Sequence, residues 1–366
     1  MWKETKVVKN VGHNNFDARY GVYVTNEGEK KTILHIGGKE ILLDNVFYIQ
    51  SFEDKVFVMY STDEGHNDLM VFTKEGEPFT TIKDVALINK NTNRHYVNIL
   101  EYKNFTNYYN LVEVETGKVI FNEYIPKRKL FVFGDMIFSN RDNIIIRYDW
   151  DGSIVWQHDY QTDFNVTIDL GILSEAGVCG GKLWVKSRYE RYEILLAIDV
   201  NTGELLKAFS DSENDTNFPH CKIGNIYDIN LNNERDKVLV TVYDNELGNH
   251  FVFLDAKNLV VEEKRKFSTD FDDSESEKSL KRISDFRGDY ITIKLEDLKQ
   301  FRNAFGFMIY NYRTKEIVFA HRLFTSKQTE KGLGISFLSQ IQYLDNGRIF
   351  IHDFADRLHI FEDVKE

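Results

Sequence analysis

Residues 194–209 read ILLAIDVNTGELLKAF. An apolar run leads to Asp199, an Asn-Thr-Gly turn follows, and a second apolar run closes the unit. The first run is short and rich in branched side chains. Such residues fit a pleated surface, and the run is too short for a typical helix. Gly203 supplies the positive φ that a tight hairpin needs, and an Asp side chain can bond its own backbone two residues on. The stretch therefore reads as a β-hairpin.

The hairpin recurs along the chain. Residues 69–82 read LMVFTKEGEPFTTI, 109–121 YNLVEVETGKVIF and 144–156 IIIRYDWDGSIVW. Copies without the glycine are 251–267 (FVFLDAKNLVVEEKRKF), 307–319 (FMIYNYRTKEIVF) and 349–361 (IFIHDFADRLHIF). With Gly76, Gly117, Gly152, Gly203, Asn258, Lys315 and Asp356 as turn markers, the spacing runs from 35 to 57 residues. Each interval has room for two further strands. A repeat of roughly 40–50 residues, all of it strand, is the mark of propeller blades.

The expected fold is all-β: a single β-propeller over 1–366, with seven blades of four antiparallel strands. Six blades fall near 46–82, 84–125, 129–159, 171–209, 226–267 and 280–324. The seventh, 335–362, is completed by N-terminal strands, and this pairing of the termini closes the structure. An eight-bladed alternative makes a separate small blade of Gly21 to Asp44.

The Asp-x-x-Thr-Gly turn resembles the repeat of quinoprotein-type (PQQ-like) β-propellers, A-x-D-x-x-T-G-x-x-x-W. Ala197, Asp199, Thr202 and Gly203 match it, while Lys207 takes the tryptophan position. Trp156 fills that position in the repeat around Gly152, where Tyr148 replaces the aspartate, and Phe121 fills it in the repeat around Gly117. The resemblance implies blades that wedge against one another through that aromatic ring. The family's enzymatic members are secreted, hold a quinone over a tryptophan floor with calcium, and often carry an adjacent-cysteine disulfide. This chain has no adjacent cysteine pair, and its first residues, Met-Trp-Lys-Glu-Thr-Lys, leave no apolar core for a signal peptide. No cofactor is expected.

Composition narrows the function. Over 366 residues, 46 basic and 58 acidic side chains give a net charge of −12. A nucleic-acid binder needs a basic face to displace counterions from phosphate, and no dense Lys/Arg cluster supplies one. Two cysteines, Cys179 and Cys221, rule out a disulfide framework and a four-cysteine zinc site. No apolar run approaches the roughly 18–20 residues of a membrane-spanning helix. The expectation is a cytoplasmic monomer.

No Gly-x-Ser-x-Gly elbow, phosphate loop or His-Glu-x-x-His motif is present. His220-Cys221 is the most suggestive pair of metal ligands, and two ligands do not make a zinc site. Asp228 and Asp285 occupy corresponding segments, NIYDINL and KRISDFRGDY, and are the carboxylates that a propeller funnel could use. No catalytic, cofactor-binding or metal residue is assigned. The expected function is a non-catalytic protein-binding module: a scaffold, adaptor or immunity-type inhibitor with a basic partner. The alternatives are a funnel-site enzyme such as a lactonase, lyase or glycan hydrolase, and a carbohydrate-binding lectin. The loops that break the repeat, 211–220, 244–249 and 270–277, offer the contact residues Phe218, His220, Asp244, Phe271, Asp272 and Asp273.

Overall fold

The structure is a computed structural model. It describes residues 2–28, 30–52, 54–62, 66–83, 85, 96–103, 106–116, 118–123, 129–167, 177–189, 192–212, 218–244, 248–266, 279–297, 304–335, 341–344 and 347–364. Apart from two single-turn helices, Tyr160–Phe164 and Ser326–Glu330, the regular structure described is β-strand.

The hairpin chemistry read from the sequence is what forms the turns. Asp199 Oδ1 accepts the backbone N–H groups of Asn201 at 2.7 Å and Thr202 at 3.0 Å. Gly203 takes the left-handed conformation with φ 78°. Asp255 repeats the pattern on Lys257 and Asn258, and Asn311 repeats it on Arg313 and Thr314. In these copies the left-handed residue is Leu259 (φ 57°) or Lys315 (φ 65°). The marker of the 251–267 repeat is thus Leu259, one residue beyond Asn258. The Gly117 marker lies outside the described residues.

Clustering of contacts divides the chain into two compact units, residues 1–85 with 269–366, and residues 86–268. Each holds four sheets of successive antiparallel strands. In the first unit, one sheet runs from Val46–Phe52 to Pro78–Ile82 and another from Ser279–Arg287 to Glu316–Arg322. A third is closed by the chain termini: Trp2–Lys9 pairs antiparallel with Arg357–Asp363, beside Arg348–His352 and Gln342–Leu344. Meanders of this kind, with the termini paired in one sheet, place the fold in the β-propeller class.

Seven sheets coincide with the seven segments marked in the sequence, and an eighth adds the small sheet of the alternative count. It comprises Val11–Asp17, Val22–Asn26, Lys31–Ile36 and Lys39–Asp44. Of the N-terminal strands, then, only Trp2–Lys9 completes the last sheet. The reason is the Gly37-Gly38 pair. Ile36 faces Lys39 across a two-residue loop with φ of 55° and 77°, which is the twist a tight hairpin favours. That turn supplies a fourth strand, so residues 11–44 satisfy their own ladder.

The second unit holds sheets of residues 96–123, 129–159, 177–222 and 225–265. The first has three described strands. The third has five, because His220–Lys222 adds in parallel beyond Leu205–Ser210.

Middle strands are buried on both faces. Residues 194–198 are all fully buried, whereas the last strand Val260–Arg265 alternates exposed and partly buried. Neighbouring sheets share cores: Phe131, Phe138 and Trp156 pack with Leu183, Leu196 and Ala208. Trp156 also grips the next sheet's turn. Its indole N–H donates to Val200 O at 2.8 Å, Tyr160 OH donates to Gly203 O at 2.7 Å, and Arg147 Nη1 donates to Val200 O at 2.8 Å. The aromatic wedge implied by the family resemblance is thus present here, and it works by hydrogen bond as well as by contact.

Polar bonds join the termini. His359 lies between Glu4 Oε1 (Nδ1, 2.6 Å) and Asp353 Oδ2 (Nε2, 3.1 Å). Arg357 Nε donates to Asp353 Oδ2 at 2.7 Å. Burial alone would raise the Asp353 carboxyl, but donation from His359 and Arg357 overcomes it and holds the group at about 2. A depressed carboxylate stabilises the fold in full above its ordinary value of 3.8, and that contribution is lost as pH falls towards 2.

Two outcomes follow for stability. Asp353→Asn destabilises the protein by about 2 kcal/mol at neutral pH. In denaturant melts this deficit is constant above about pH 5 and shrinks below pH 4; a pH-independent deficit contradicts the network. Gly203→Ala would bring a Cβ within 2.5 Å of the His158 ring and 2.7 Å of the Trp156 ring, at φ 78°. It costs about 2 kcal/mol or more in the same assay, and a neutral result contradicts the clamp.

Candidate functional site

The stretch that contains Phe218 and His220 folds back on its own sheet. His220–Lys222 runs parallel to Leu205–Ser210, with His220 opposite Ala208. Phe218 is 6% exposed and belongs to the core of Phe131, Trp156 and Leu183. It is therefore a core residue and not the surface anchor expected from the sequence. A ring this large gains more from burial beside Trp156 than from display.

His220 meets a serine. Ser210 Oγ accepts the Ser212 N–H at 3.0 Å, which leaves its hydrogen for His220 Nε2 at 2.8 Å. Burial lowers His220 below its ordinary 6.5, and the Lys207 charge lowers it further. The neutral ring accepts from the hydroxyl. This is the order of a nucleophile and its base. Ser210, however, is 1% exposed, so the pair fastens the returning strand to its sheet.

Asp244 ends the strand Lys237–Asp244 in the next sheet. Its Oδ2 lies 3.5 Å from Nε2 of the buried His250. Beside it are two aromatic rings that the sequence reading did not single out. Ile226 opposes Val242 and Asp228 opposes Thr241, so Tyr227 is the extra residue of a β-bulge. A bulge re-aims a side chain. Ile226 is 2% exposed, whereas Tyr227 is 54% exposed. Tyr243, opposite Asn225 and two residues along from Tyr227, is 42% exposed. The two rings thus come to one end of adjacent strands, and each is followed by a carboxylate, Asp228 or Asp244. Asp228 Oδ1 accepts the Ile229 N–H at 2.9 Å. Lys186 Nζ donates to Tyr227 O at 3.2 Å and is 4.0 Å from Glu193 Oε2.

The first-strand bulge is repeated in the first unit. Phe47 is the extra residue between Val46 and Tyr48, and Ser284 between Ile283 and Asp285. Phe47 is 40% exposed, while Ser284 Oγ accepts the Ile341 N–H at 2.6 Å. Two other polar groups of that unit, Asp17 and Asn15, bond the fold together. Asp17 accepts the N–H groups of Arg19 and Ser51, and Asn15 Nδ2 donates to Val46 O. These bonds tie the first strands of two sheets. Burial raises Asp17 against those donors. Lys294 is held down at about 8 by burial, with Glu296 acting the other way.

Phe271, Asp272 and Asp273 lie outside the described residues. No helix among the described residues is long and apolar enough to cross a membrane.

A scan against protein-family models finds no match, and a search of curated proteins finds none. Solved structures do resemble the chain. Hsv2 of Kluyveromyces lactis aligns at 10% identity and a TM-score of 0.49, over 85% of this chain and 90% of that one. The WD40 domain of Toxoplasma gondii coronin aligns at 9% identity and 0.48, over 98% and 87%. A protein of unknown function from Bacteroides caccae aligns at 14% identity and 0.33, over 69% and 80%. At these scores the likenesses add no argument to the sheet topology.

His220 titrates below 6.5 in an NMR experiment, and Lys207→Gln moves its midpoint upward by removing the neighbouring positive charge. An unchanged midpoint contradicts the placement of the ring beside Lys207.

Proposed function

We propose that the protein is a non-catalytic protein-binding module, of scaffold, adaptor or inhibitor type, with a basic partner. The observation that supports this reading best is the display of Tyr227 and Tyr243 in water on adjacent strands of a hydrogen-bonded sheet. Rings left in water on a rigid frame cost little ordering entropy on binding, and aromatics of this kind dominate interface energies. The net charge of −12 favours a partner of opposite sign and speeds their encounter.

The Asp199–Gly203 turn, with Trp156 seated on it, supports kinship with PQQ-like repeats without the quinone. Both cysteines are free thiols, which suits a reducing, cytoplasmic setting.

The test is affinity capture from native lysate at low salt. The wild-type protein retains a stoichiometric basic partner that elutes as salt is raised, and the double variant Tyr227→Ala/Tyr243→Ala retains about tenfold less. Failure of the wild-type protein to retain any stoichiometric partner contradicts the reading.

A further inference from the structure

We propose that two copies of this chain exchange the strand Trp2–Lys9, so that the strand of each fills the edge of Arg357–Asp363 in the other. The interface is self-complementary, and its partner is a second copy of the chain. The proposal goes beyond the protein-binding reading and does not depend on it.

The strand is held by pairing and by a few directional contacts rather than by a core of its own. None of its eight residues is buried, and only Trp2 and Val8 are partly so. It pairs antiparallel with Arg357–Asp363, from Trp2 opposite Asp363 to Lys9 opposite Arg357. Glu4 Oε1 meets His359 Nδ1 at 2.6 Å, Lys6 Nζ donates to Tyr23 OH at 2.8 Å, and the Trp2 ring lies 5.9 Å from that of Phe319. A second copy's strand carries the same residues in the same register. It restores every one of these contacts, whereas a segment of another sequence loses those that Glu4, Lys6 and Trp2 make. A strand edge left open is a template for such pairing.

The connection favours the exchange. Asn10 alone links Lys9 to Val11, and these belong to strands of different sheets. Its φ is 61°, in the left-handed region. Both sides of this turn are pinned: Asn10 O accepts the Asn26 N–H at 2.8 Å, and the Val11 N–H donates to Asp356 O at 2.9 Å. A residue with a Cβ enters that region at a cost, which falls on the closed arrangement and is relieved when the hinge straightens. A short, strained hinge is the setting in which identical elements exchange. Both arrangements make the same strand contacts, so hinge strain and chain concentration decide between them. Closure within one chain has an effective concentration on the order of 1 mM, so the exchanged dimer forms when chains fold together at high concentration. It then persists on dilution, because the strand leaves its edge only when the fold opens.

The test is refolding from denaturant at about 1 µM and about 500 µM, in about 0.3 M salt to screen the −12 charge of each copy, followed by light scattering on a sizing column at one common dilution. The wild-type protein gives monomer from the dilute sample and a persistent dimer from the concentrated one. Asn10→Gly, which takes positive φ at no cost, lowers the dimer share about threefold. Asn10→Pro, with φ fixed at about −65°, cannot close and raises the dimer share of the dilute sample about tenfold. Lys3→Cys and Glu362→Cys, at positions opposite each other across the two strands, report whose strand is seated. Refolded together at high concentration and oxidised, these two variants form a disulfide between chains; mixed after folding apart, they do not. Each of them refolded alone stays unlinked, which sets aside the native thiols. If Asn10→Pro does not fold, the cysteine pair, placed in the wild-type hinge, decides. Monomer alone at both concentrations for the wild-type protein, or a dimer in which the cysteine pair does not join the chains, overturns the proposal.

Discussion

A sheet built only from consecutive hairpins leaves two open edges, and an open edge invites pairing with any other strand. The pairing of Trp2–Lys9 with Arg357–Asp363 covers the free edge of the C-terminal strand in the terminal sheet. It joins residues separated by nearly the whole chain, so its loop-closure cost is the largest in the fold. Ladder bonds alone would satisfy any strand. The Glu4–His359–Asp353 chain makes this one specific, since a slip of one residue would turn Glu4 away from the ring. The ring bridges the two carboxylates, and Arg357 adds a second donor to Asp353. Trp2 adds apolar weight through its contact with Phe319 of the adjoining sheet.

Rigidity then passes through the turns. Where the sheet of residues 129–159 meets the next, Trp156, Tyr160 and Arg147 hold residues 200–203. Such a clamp leaves the first strands free to carry irregularities. Bulges at Phe47, Tyr227 and Ser284 break the alternation without breaking the sheets, because their middle strands are buried on both faces.

The hairpins were legible in the sequence because their signals are local. An Asp that bonds the turn, a glycine at positive φ and two apolar runs suffice, and the sheets of residues 129–159 and 225–265 begin and end within a few residues of the sequence estimate. The N-terminal sheet was legible only as an alternative, since Gly37-Gly38 reads equally as a loop until its strands are paired. The site was less legible. Phe218 and His220 sit in a polar stretch that looks like free loop, yet a parallel strand returns them to the sheet. Asp244 ends its strand, and the exposed Tyr227 and Tyr243 follow the ordinary alternation with the buried Ile226 and Val242. The repeated Tyr-Asp pair, at 227–228 and 243–244, is the signal that could have found it.

The closure of the terminal sheet is tested most directly by hydrogen–deuterium exchange read by mass spectrometry. Peptides covering residues 2–9 and 357–363 exchange together, slowly, with the rate of the buried strands, because the two strands open only when the fold does. Exchange of residues 2–9 within seconds, while 357–363 stays protected, would show a frayed terminal strand and contradict the account.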